Sequence, residues 1–131
     1  MVATNKDRLI CVVDDDEAVR DSTQMLLDIH GFKARSYAGA REFLAEFDAV
    51  ATGCLILDIH MPEMTGVELL ALLRARDITV PAIIVSGRSD PVLAEILTRT
   101  GALAILNKPV NEGELMGYVE KALAALPEHG P

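Results

Sequence analysis

Short apolar runs, each stopping at a polar turn and each followed by a stretch of helical periodicity, restrict this chain more than any other feature. Runs at 9–13, 54–57, 80–85 and 102–106 have the length and the β-branched character of buried strands, and 32–37 is a weaker, partly alternating fifth. Cys54-Leu55-Ile56-Leu57 is apolar without alternation, the pattern of a strand covered on both faces. Between and after these runs the spacing predicts helices over about 16–30, 39–47, 66–76, 90–100 and 111–126. Five strands alternating with five helices specify an α/β fold, a doubly wound parallel sheet flanked by helices, with right-handed connections. The weak second strand belongs at an edge, and Pro81 is tolerable only near the start of its strand.

The helices carry their own punctuation. In the first, Val19, Leu26 and Ile29 form the inward stripe with Thr23 between them, Asp16 is the N-cap candidate and Gly31 the C-terminal stop. In the second, Ala40, Phe43, Leu44 and Phe47 share one face. Val67, Leu70 and Leu73 point inward from the third. The fourth starts at Asp90 with Pro91 in its first turn and ends before Gly101. Leu115, Val119, Ala122 and Leu126 line the fifth, and the tail beyond it is expected to fray.

At 131 residues the chain fits one domain, 1–131, with a core over about 8–126. It lacks Trp and has few other aromatics, so Leu, Ile, Val and Ala must fill the interior. The net charge of −8 repels phosphate backbones, which argues against direct nucleic-acid binding and favours cationic partners. Cys11 and Cys54 fall inside strand-like runs with no paired Cys/His spacing, as buried thiols in a reducing compartment do. The polar N-terminus lacks the apolar segment of a signal peptide, and no apolar stretch approaches membrane-spanning length. The expected location is cytoplasmic.

Function concentrates at the ends of the strands. In order, the strand ends carry Asp14/Asp15, Asp58, Ser86 and Lys108. Taken singly, each has a plain explanation: a solvated turn, a helix cap, a loop. In a doubly wound sheet, however, the carboxyl ends of the strands share one crevice. Three carboxylates there are tolerable around a shared hard cation, and Mg²⁺ suits oxygen-only ligation. No His/Cys cluster suggests zinc, and His60 reads as an exposed loop residue. An ammonium and a cation beside one carboxylate favour phosphoryl chemistry, with Asp58 as nucleophile and Ser86 as a hydrogen-bond donor to a phosphoryl oxygen.

With these residues assembled, the chain resembles a bacterial response-regulator receiver domain over essentially its whole length. The resemblance rests on Val13-Asp14-Asp15, on 58–66 (Asp-Ile-His-Met-Pro-Glu-Met-Thr-Gly), on Ile84-Val85-Ser86-Gly87 and on Asn107-Lys108-Pro109. The stretch 37–44 and the overall spacing are similar to receivers of the FixJ type. The resemblance implies a flavodoxin-like receiver fold with strand order 2-1-3-4-5. It implies phosphorylation at Asp58, Mg²⁺ held by Asp15, Asp58 and the main-chain carbonyl of His60, and Asp14 acting through a metal-bound water. It further implies Ser86 as the switch hydroxyl, Lys108 as the partner of the phosphoryl oxygens, and a cis Lys108-Pro109 bond. The expected partners are a sensor histidine kinase or histidine phosphotransferase upstream and an effector downstream, with the chain a monomer or a phosphorylation-dependent dimer. His60 and Arg88 occupy the positions that tune the lifetime of the phosphorylated state in such domains.

Two positions depart from the family pattern. Ile105 stands where an aromatic output switch is usual, and Val110 follows Pro109 where an aromatic is common. These changes bear on output and leave the phosphoryl chemistry intact. The stretch after the fifth helix is too short for an output domain, so the expectation is a single-domain regulator, not an enzyme in the conventional sense. The alternative is a receiver from a longer FixJ-like transcription factor. An aspartyl-nucleophile phosphatase would need a second acid where His60 stands. A flavin protein would place a phosphate against the 14–16 acids, and Ser86 has neither a nucleophile elbow nor His/Asp partners.

Overall fold

The computed structural model describes residues 7–87 and 93–126. Among these, five strands, β1 (Leu9–Val13), β2 (Ala34–Tyr37), β3 (Thr52–Asp58), β4 (Ala82–Ser86) and β5 (Ala104–Asn107), form one sheet in the order β2-β1-β3-β4-β5. Every pairing is parallel. The helices are α1 (Glu17–Ile29), α2 (Ala40–Glu46), α3 (Gly66–Ala75), α4 (Leu93–Thr100) and α5 (Glu112–Ala124). The expected Asp90 cap, Pro91, Arg88 and the tail from Pro127 lie outside the described residues. None of the described helices is long and apolar enough to cross a membrane.

The sheet divides two cores by the period-two alternation of its strands. Cys11, Val13, Leu55, Leu57 and Ile84 meet α2 and α3 through Phe43, Leu69, Leu70 and Leu73. Ile10, Val12, Cys54, Ile56 and Ile83 meet α1 and α5 through Leu27, Leu115, Val119 and Leu123. Strand β3 is buried along its whole length, as its unbroken apolar run requires. Both cysteines are free and buried, and burial pushes the Cys54 thiol up to about 12.

Two expectations need correction. Ile29 does not face the core: it is 72 % exposed, and Leu27, which the expected stripe omitted, is fully buried. At about 100° per residue Val19, Thr23, Leu26 and Leu27 form one arc, and Ile29 falls well outside it. Strand β3 also starts earlier than its apolar run, at Thr52, whose hydroxyl donates to the Asp48 carbonyl at 2.7 Å and so can be buried.

The helix ends behave as their sequences direct. Asp16 caps α1 by accepting from the Val19 amide, and Asn111 caps α5 by accepting from the Glu114 amide. Thr65 and Glu68 form a reciprocal capping box at α3. Gly31 and Gly101 take positive φ, 83° and 69°, just past the ends of α1 and α4.

Candidate functional site

The chain leaves β1 toward β2 on one side and β3 toward β4 and β5 on the other, so β1 and β3 flank the topological switch point. Their register pairs Val13 with Leu57, which sets Asp14 and Asp58 side by side at the carboxyl edge. On the other flank Asp58 pairs with Val85, and Ser86 with Asn107. The Lys108 amide donates to the Ser86 carbonyl at 2.8 Å, which holds the last β5 turn against the end of β4. The Lys108-Pro109 bond is cis.

Lys108 reaches across this edge. Its Nζ lies 3.0 Å from Asp14 Oδ2 and 3.4 Å from Asp58 Oδ1. Both carboxylates are only 4 % exposed. Burial and the negative charge of Asp14 raise the pKa of Asp58, against the opposing pull of Lys108 and the His60 amide. Burial alone would lower Lys108, but its hydrogen bond to Asp14 and the charges of both acids outweigh it, and its pKa is raised. Asp15 is exposed, yet one oxygen from each of Asp14, Asp15 and Asp58 falls within 4.8 Å of the others. A cluster of three carboxylate oxygens, two of them from buried groups and one destabilised by its neighbour's charge, suits a hard divalent cation.

The sequence matches the family model described as response regulator receiver domain over residues 10–120. The chain belongs to the response regulator receiver family. Receivers generally bind Mg²⁺ at a cluster of acidic residues, and this receiver carries a cluster of three acids, Asp14, Asp15 and Asp58. Among curated relatives, it is 36 % identical over 114 residues to the transcriptional regulatory protein FixJ of Bradyrhizobium diazoefficiens, covering 87 % of this chain. It is 33 % identical over 124 residues to the response regulator protein TmoT of Ectopseudomonas mendocina, covering 95 % of this chain. The chain spans 56 % of the length of each of these relatives. A crystal structure titled FixJ-N superposes with a TM-score of 0.83 at 34 % identity, covering 92 % of this chain and 97 % of that one. Response regulators with receiver domains of this kind belong to two-component systems.

The remaining expected positions fall around the receiver's acid edge in different ways. His60 is exposed, and its amide donates to Asp58 Oδ1 at 3.4 Å. Ser86 is the buried last residue of β4. Ile105 is half-buried in β5 and packs on the α2–α3 side of the sheet, so it is separated from the acids by the sheet's own alternation. Two residues were not singled out from the sequence for what they do here. A Cβ on Gly66 would run into the Asp58 carbonyl oxygen, so α3 can approach the end of β3 this closely only with glycine there. Arg20, in α1, donates from Nη1 to the Asp14 carbonyl at 2.8 Å. The glycine had a visible signal in its position after Thr65; the arginine had none, because its partner lies a turn of helix away across a loop.

Proposed function

We propose that this receiver is a phospho-accepting switch in which Asp58 takes a phosphoryl group from a phosphohistidine on a sensor kinase or phosphotransferase. The observation that carries this reading is the Lys108 ammonium held between Asp14 and Asp58 at the sheet's switch point. Both donors to Asp58, Lys108 and the His60 amide, approach Oδ1, so Oδ2 is the attacking oxygen. The new bond is Oδ2–P as the donor's P–N bond breaks, and the imidazole leaves with the electron pair. Asp14, Asp15, Asp58 and the main-chain carbonyl of His60 would hold Mg²⁺, which when bound supplies positive charge against the oxygens of the transferring group. Lys108 follows the phosphoryl oxygens, and Ser86 donates to one of them. That exchange of partners biases a two-state equilibrium read by an effector. The protein is consumed and regenerated as a phosphoprotein, so it is a stoichiometric acceptor and not an enzyme in the usual sense.

Incubation with a small phosphodonor and Mg²⁺, followed by intact mass measurement, tests the reading. Wild type gains one phosphoryl group and Asp58→Asn gains none; equal gain by the variant overturns the assignment. The names of the relatives favour a second reading of output, in which the receiver governs transcription as part of a longer regulator. A reading frame that continues into a second domain decides for it.

A further inference from the structure

We propose that Arg20 is a positioning residue for the acid cluster, acting through the peptide plane between Asp14 and Asp15; the proposal rests on the Mg²⁺-dependent reading above. Every polar group of Asp14 is committed. Its amide donates to the Tyr37 carbonyl at 3.1 Å, its Oδ1 accepts from the Asp16 amide at 2.9 Å, and its Oδ2 accepts from Lys108 at 3.0 Å. The carbonyl is the fourth group, and it accepts from the Arg20 guanidinium at 2.8 Å. That carbonyl belongs to the rigid plane that also contains the Asp15 amide and fixes where the Asp15 Cα departs. Asp15 is exposed and its side chain has no comparable set of restraints, so the direction of its carboxylate depends on this plane. Arg20 is itself placed by α1: its amide closes the first helical turn on the Asp16 carbonyl at 2.9 Å, and Asp16 caps that same turn. The cap, the turn and the guanidinium form a brace that starts and ends on the loop carrying the acids.

The two roles open to Arg20 differ in the sign of their effect. As a mere cation beside three carboxylates it competes with a divalent ion, and its removal tightens Mg²⁺ binding. As a positioning residue it orders the ligands, and its removal weakens binding in the way that loss of a group supporting a metal ligand does, on the order of 10-fold. Titration calorimetry of the full chain with Mg²⁺ separates them. Arg20→Ala weakens the Kd on the order of 10-fold, and Arg20→Lys, which keeps the charge and can give one donor but not the planar fork, recovers part of the loss. Thermal melting in chelator shows that both variants are folded. Unchanged or tighter Mg²⁺ binding by folded Arg20→Ala, or no recovery in Arg20→Lys, overturns the proposal. If wild type binds Mg²⁺ but accepts no phosphoryl group, the phosphorylation reading fails while the brace stands; if it accepts phosphate and Arg20→Ala binds Mg²⁺ as wild type does, the brace alone fails.

Discussion

Asp14 and Asp58 are equally buried and share one ammonium, but the chain holds them in different ways. Asp14 is bonded through its amide, its carbonyl and both carboxylate oxygens, with distances from 2.8 to 3.1 Å. The Asp58 carboxylate receives two longer contacts, each 3.4 Å and both on Oδ1. A carboxylate fixed on every side is suited to shaping a site. One held by a single oxygen, and raised in pKa by burial and then by its neighbour's charge, keeps its other oxygen available and gains by acquiring positive charge. The difference comes from local sequence. Asp14 opens a loop that turns at once into a capped helix, and the cap and α1 return donors to it. Asp58 ends a central strand, and the chain after it runs through Met61 and Pro62 before α3 begins.

The backbone beneath Asp58 offers the largest effect. Gly66→Ala forces a methyl group against the Asp58 carbonyl, a collision with main chain that no rotamer change relieves. The expected cost is about 3 kcal/mol of stability in urea unfolding, the upper end for overpacking, with loss of phosphoryl acceptance. A wild-type midpoint in this variant would mean that the end of β3 is freer than its contacts imply.

Neutral isosteres of the two acids come next and test the comparison itself. In Asp14→Asn an amide NH₂ can face the Lys108 ammonium, donor against donor, and the expected loss is about 2 kcal/mol in metal-free buffer. Asp58→Asn instead removes the group whose ionisation the site penalises, and a gain of about 1 kcal/mol is expected. Opposite signs at two equally buried positions are the result to look for in chemical denaturation. The same sign at both would show that the bonding around Asp14 carries no stability of its own.

Strand ends were legible because the apolar runs of β1, β3, β4 and β5 stop at the polar residues of the sheet's carboxyl edge; Leu57 before Asp58 and Leu106 before Asn107-Lys108 are the clearest. The sheet's sidedness was legible too, since residues 9–13 of β1 and 54–57 of β3 alternate between two cores without a polar interruption. The three successive acids were not. Asp14, Asp15 and Asp16 look alike in sequence, yet one is buried and bonded throughout, one is exposed within the cluster and one caps α1. Their division of labour depends on donors from Lys108 and Arg20 and on the Tyr37 carbonyl as acceptor, which only the folded chain brings back. Ile29 misled for the opposite reason: hydrophobicity was counted where angular position decides.

The smallest effect is a slope with pH, and it isolates Asp58 from everything else in the edge. The folded pKa of Asp58 lies above its unfolded value, so in the window between them the native state binds more protons than the unfolded chain. Stability attributable to this group therefore falls as pH rises through that window, by at most about 1.4 kcal/mol per pH unit. Lys108 adds no slope there. Its folded pKa is also raised, but for a cationic group the stability is fully present below the unfolded value and is lost only as pH climbs through the folded one, in the alkaline range. Stabilities of wild type and Asp58→Asn measured in chelator should thus converge near pH 4, where an unfolded carboxylate begins to ionise, and separate as pH rises, with the variant the more stable. Above the folded pKa the gap stays constant. A gap that instead widens toward acid would place the folded pKa below its ordinary value, and Asp58 would then be held as firmly as Asp14.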